Sequence, residues 1–126
     1  MFAGASAFNG DISTWNVGKV TDFRFMFERA SQSVGQVPFF NSMFRGASQF
    51  NQSLSLWDTS SATDMREMFD GASAFNGNIS SWSVDNVNFF RFMFRGVSQF
   101  NQDLSSWDTS SARDMTQMFD GASALI

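Results

Sequence analysis

The dipeptide Met-Phe recurs at residues 43–44, 68–69, 93–94 and 118–119, a constant spacing of 25 residues, and the residues after it recur with it. A chain with this period has few options. Each unit is too short to enclose a core alone, so it must bury its apolar residues against copies of itself stacked on either side. Laid out from each Met-Phe, the chain divides into coils 1–25, 26–42, 43–67, 68–92 and 93–117, with a partial coil at 118–126. Coils 1–25 and 68–92 are close copies, as are 43–67 and 93–117, so the duplicated unit is a pair of coils. The line 26–42 is shorter and lacks the Phe-Asn…Trp segment, which predicts one irregular coil there. Residues 1–126 read as a single solenoid domain. Met1-Phe2 falls on the repeat phase, so Met1 is expected to be an internal repeat residue and the chain a fragment of a longer repeat protein.

Each coil carries a helix signal. In Ser61-Ala62-Thr63-Asp64 a hydroxyl residue precedes an acid by three, a pattern that satisfies the free N–H groups of a first helical turn. Ala62, Met65, Met68 and Phe69 then form one apolar stripe, and Gly71 follows as a left-handed cap. Pro38 suits a first turn in the irregular coil. The spacing predicts helices near 20–28, 37–45, 62–70, 87–95 and 112–120. Between them, 12–17, 54–59, 79–84 and 104–109 are each long enough for one short strand, and strands at this period stack in parallel. The residues therefore predict an α/β repeat solenoid with one short parallel strand and one short helix per coil.

Composition excludes several classes of function. With 43% hydrophobic and 16% charged residues the chain is globular rather than disordered. It has no Cys and no His, hence no disulfide framework, no thiolate zinc site and no imidazole base. No phosphate loop or nucleophile elbow is present, so neither catalysis, metal nor cofactor is expected. A net charge of −4 argues against nucleic acid as a partner. No apolar run reaches the length of a transmembrane segment.

The repeat places single residue types in columns. Asn9, Asn51, Asn76 and Asn101 form an asparagine ladder suited to bonding the backbone of neighbouring coils, and Ser6, Ser31, Ser48, Ser73, Ser98 and Ser123 form a second polar column. Trp15, Trp57, Trp82 and Trp107 form a column that reads as core in preference to a stacking platform for sugars. Glu28, Arg45, Asp70, Arg95 and Asp120 alternate in charge, which suits pairing between stacked coils and defence of their register. Phe25, Phe39, Phe89 and Phe92 stand where other coils carry Asp, Glu or Gln. They are the candidate interface, or else a locally wider core. Of the two sequons, Asn51-Gln-Ser53 lies in the ladder, which is expected to be buried, and this leaves Asn78-Ile-Ser80 as the candidate glycosylation site.

The pattern Val87 to Trp107, VNFFRFMFRGVSQFNQDLSSW, resembles the repeats of the BspA-like leucine-rich-repeat surface proteins, including the repeat domain of Mycoplasma surface lipoproteins. The resemblance covers nearly the whole chain and implies leucine-rich-repeat-like coils at an extracellular or cell-surface location. It also implies a non-enzymatic role as a repeat scaffold for protein–protein interaction, an adhesion or binding module whose partner is another protein subunit or a surface ligand. A structural or accessory subunit, docked in a larger assembly through a Phe-rich helical face, is the second expectation. An ice- or glycan-binding solenoid is a weaker third.

Overall fold

The computed structural model describes residues 40–125. The expectations at Asn9, Trp15, Phe25, Glu28, Phe39, Pro38 and coil 1–25, with the first part of the irregular coil, lie outside them. The 25-residue period is realised as a stack. Backbone N–H groups of one repeat donate to carbonyls 24 residues later, as from Phe40 to Asp64, Met65 to Phe89 and Phe90 to Asp114, at 2.8–2.9 Å.

The expected helices are absent: among the described residues there is none. Residues 65–75 show why. Met68, Asp70, Ala72 and Phe75 donate to the carbonyls of Met65, Glu67, Phe69 and Ala72, each three residues back, so the segment is a run of linked turns. The alternate donors, Met65, Glu67, Phe69 and Gly71, turn outward to Phe89, Arg91, Met93 and Arg95 of the next repeat. An α-helix would send the Phe69 N–H to Met65, four residues back. Its backbone is also excluded by φ values of 57° at Glu67 and 73° at Gly71, the third residues of two of these turns, where a type II geometry requires positive φ. The same pattern recurs with Ser42, Phe92 and Gln117 and with Gly46, Gly96 and Gly121. Gly71 thus has the left-handed backbone expected of it, with no helix to cap.

The expected strands at 54–59, 79–84 and 104–109 are absent as well among the described residues, while that at 12–17 lies outside them. Parallel pairing is confined to single-residue bridges joining Asp64, Phe89 and Asp114. Segment 54–59 is occupied by the turns Leu54–Trp57 and Thr59–Ala62. Its links to neighbouring repeats are mostly made by side chains: Trp82 Nε1 donates to the Leu54 carbonyl at 2.9 Å, Ser81 Oγ to Ser55 at 2.9 Å and Thr59 Oγ1 to Ser83 at 2.9 Å. Once side chains satisfy these carbonyls, a strand ladder has few acceptors left. The α/β solenoid with leucine-rich-repeat-like coils is therefore replaced by a stack of turns.

The core consists of three aromatic columns. Phe44, Phe69, Phe94 and Phe119 stack at 5.3–5.6 Å between ring centroids. Phe50, Phe75 and Phe100 lie alongside and stack on the first column at 4.0–4.3 Å. Trp57, Trp82 and Trp107 form the third column at 6.1 and 6.3 Å. Ala62, Met65, Met68 and Phe69 are all fully buried or nearly so. Each buried ring contributes about 1.5–3 kcal/mol, and the period repeats that contribution in every coil.

Candidate interaction surface

Two outward sides result from this cross-section. The tryptophan-bearing segments meet the linked turns across the core, through contacts such as Phe40 on Trp57 at 6.0 Å, Phe69 on Trp82 at 6.2 Å and Phe90 on Trp107 at 6.1 Å. On the side of residues 64–70, position by position, Asp64, Phe89 and Asp114 form one row, Arg66, Arg91 and Thr116 a second, and Glu67, Phe92 and Gln117 a third.

Phe89 is 36% exposed, and the Arg66 guanidinium lies over its ring at 5.2 Å. Phe92 is half-buried under two guanidinium groups, Arg91 at 4.6 Å and Arg95 at 4.2 Å. The two rings lie on linked turns and not on a helix face, and arginines cover part of both. Cation–π contacts of this kind are worth about 0.5–1 kcal/mol at exposed sites. Arg66 is also held by Asp64, at 2.6–3.1 Å through both carboxylate oxygens, and this bonding raises its pKa above the ordinary arginine value. In the next repeat Phe89 stands where Asp64 would; among the described residues Arg91 forms no ion pair, and its charge acts on Asp114 of the following repeat, whose pKa it helps to lower.

The charge column is engaged on one side of Asp70 and on the other. Arg95 grips both Asp70 oxygens at 2.9 and 2.6 Å, and Arg45 reaches Asp70 at 3.5 Å and Glu67 at 2.7 Å. The bonded Asp70 raises the Arg95 pKa, and Asp120 adds a weaker Coulombic share. Asn41, Ser42, Arg45, Arg66 and Glu67 line a depression of about 330 Å³, whose charges are largely neutralised by these pairs.

The asparagine column is exposed. Asn51 Oδ1 accepts from the Asn76 N–H at 2.7 Å and Asn76 Oδ1 from the Asn101 N–H at 2.9 Å, so solvent-side amides join one repeat to the next. Asn78 is exposed, and its Oδ1 accepts from the Ser80 N–H and Oγ at 3.0 and 2.8 Å. Trp57 and Trp82 are buried at 7% and 3% exposure. Among the described residues no group of His, Cys, Asp or Glu could hold a metal ion, and no helix is long and apolar enough to cross a membrane.

Sequence reasoning missed the arginines at 66 and 91. The signal was available in the offset Asp64-x-Arg66 against Phe89-x-Arg91, where an aromatic replaces the acid and the base remains.

The chain matches the family described as Mycoplasma protein of unknown function, DUF285, over residues 1–37 and 32–126. It belongs to that family. DUF285 is a Mycoplasma repeat-type family, in keeping with the 25-residue stack. No curated protein and no solved structure matches the chain.

Proposed function

We propose that this DUF285 chain is a non-enzymatic repeat scaffold for protein–protein interaction, displayed outside the cell or on its surface. The observation that carries the reading is the Arg-Phe patch. Phe89 replaces the acids Asp64 and Asp114 of its neighbouring repeats and Phe92 the polar residues Glu67 and Gln117, while Arg66, Arg91 and Arg95 gather over the rings. Aromatic and arginine side chains dominate the energetics of protein interfaces. The likeness to BspA-like surface proteins supports the location and the adhesive role. Burial of Trp57, Trp82 and Thr59 counts against a sugar-stacking platform or an ice-binding row of threonines.

The test is Phe89→Asp with Phe92→Glu, which copies Asp64 and Glu67 of a neighbouring repeat. Both backbone positions accept these residues, since Glu67 has the same positive φ as Phe92. Immobilised wild-type protein should retain surface proteins that the double variant loses, with thermal melts alike. Unchanged retention with unchanged melting overturns the assignment of this face.

A further inference from the structure

The asparagine ladder holds one link unlike its neighbours. Asn51 and Asn101 are followed by Gln52 and Gln102, but Asn76 is followed by Gly77. Close packing fixes that glycine, since a Cβ there would collide with the Gln52 carbonyl of the preceding repeat. The other described asparagines, Asn41, Asn78, Asn86 and Asn88, precede Ser42, Ile79, Val87 and Phe89. Among the described residues, then, only Asn76 is followed by an amide nitrogen with no side chain beside it. A main-chain amide nitrogen can attack Cγ of the asparagine before it and close a five-membered ring, helped by the proximity of two groups in one chain. A side chain on the attacking residue hinders that approach, and glycine has none.

The fold presents this amide for attack. Asn76 is exposed, so water and hydroxide reach it. Its side chain bonds through one atom: Oδ1 accepts from the Asn101 N–H at 2.9 Å and from Gln102 Nε2 at 2.9 Å. Gln102 Nε2 also donates to the Asn76 main-chain carbonyl at 3.0 Å. Nδ2, the atom that has to leave, donates to nothing among the described residues, and the Gly77 N–H has no acceptor among them. Two donors aimed at Oδ1 polarise Cγ and stabilise the negative charge that develops on the oxygen when Cγ is attacked. The Asn51 rung lacks the second donor, because Gly77 stands there where Gln102 stands one repeat on. Alternation of the paired coils thus supplies both the bare nitrogen and the extra donor to the same asparagine.

We propose that Asn76-Gly77 is a self-modifying site, where the folded stack converts a ladder asparagine to aspartate and isoaspartate. Hydroxide takes the Gly77 amide proton, and the nitrogen bonds to Asn76 Cγ. The Cγ–Nδ2 bond breaks, and Nδ2 takes a proton from water and leaves as ammonia. Water then opens the succinimide, at Cγ to give aspartate or at the main-chain carbonyl to give isoaspartate. One water is consumed and one ammonia released, with no change of oxidation state. Aspartate keeps the Oδ1 acceptor. Isoaspartate adds a methylene to the main chain where Gly77 packs on Gln52, so it breaks the rung between repeats.

Peptide mapping by mass spectrometry tests it, on protein held for days in mildly alkaline buffer, folded and in denaturant. A protease that cuts before aspartate and not before isoaspartate separates the two products. In folded wild type Asn76 should gain the mass of the acid while Asn51, Asn78 and Asn101 keep theirs. Gln102→Ala removes the second donor and should slow the gain by about threefold or more in the folded protein, the worth of one hydrogen bond. In denaturant the two proteins should convert at one rate. Folded wild type that keeps Asn76 intact while the denatured chain converts it, conversion no faster at Asn76 than at Asn51 or Asn101, or folded Gln102→Ala that converts as fast as wild type overturns the proposal.

Discussion

Glycine columns separate two kinds of backbone constraint. At Gly96 a Cβ would meet Gly71 Cα at 3.8 Å, ordinary contact, so the cost of Gly96→Ala is that of holding φ at 70°. At Gly77 a Cβ would collide with the Gln52 carbonyl of the preceding repeat. Gly96→Ala should lower stability by about 1–2 kcal/mol, and Gly77→Ala by more, because backbone must move. Denaturant melts of the two variants decide the order. Trp82 binds the stack twice, by stacking on Trp57 and Trp107 and by donating to Leu54. Trp82→Ala should cost about 3–5 kcal/mol, and a melt within about 1 kcal/mol of wild type, a surface-like effect, would remove the tryptophans from the core. Identities of the core residues were legible at this scale, since an apolar residue recurring at 25-residue spacing has to be buried by the stack. The positive φ of Glu67 and Phe92 was not, because neither side chain favours it.

At the level of the element, the sequence misled in a definite way. Linked turns bring every third residue to the same side, and Ala62, Met65 and Met68, then Phe69, Ala72 and Phe75, follow that spacing. Over so short a window a period of three is hard to tell from a helical period. What distinguishes them is where alternate N–H groups go, and no side-chain pattern reports it. The alternating charges were legible as a row, and its strongest bond is the two-point grip of Arg95 on Asp70. A double-mutant cycle on that pair should return a coupling of about 1 kcal/mol, and zero coupling would count against the grip. Short turns closed by aspartate side chains predict a pH response. Backbone and side-chain bonds from Ser105 lower the Asp103 pKa, Ser110 does the same for Asp108, and Thr116, through its side chain first, for Asp114. A carboxylate depressed in the folded state stabilises above its unfolded value and loses that contribution as pH falls through the folded one. Changing all three to Asn should flatten the acid limb of the melting curve between about pH 5 and pH 2. An unchanged limb would show that these turns do not hold the charged form.

For the molecule as a whole, stacking by a 25-residue period was legible and the character of the coil was not. The patch was half legible: Phe89 and Phe92 stand out as breaks in the repeat, whereas the arginines over them come from a row that looked like ordinary surface. The central claim is that each repeat is a run of turns whose alternate N–H groups bond the next repeat. Scalar couplings across hydrogen bonds in the isotope-labelled protein test it directly. The Phe69 amide nitrogen should correlate with the Met93 carbonyl carbon and the Glu67 nitrogen with that of Arg91. A correlation from Phe69 to Met65, four residues back, would restore a helix at 62–70 and contradict the account.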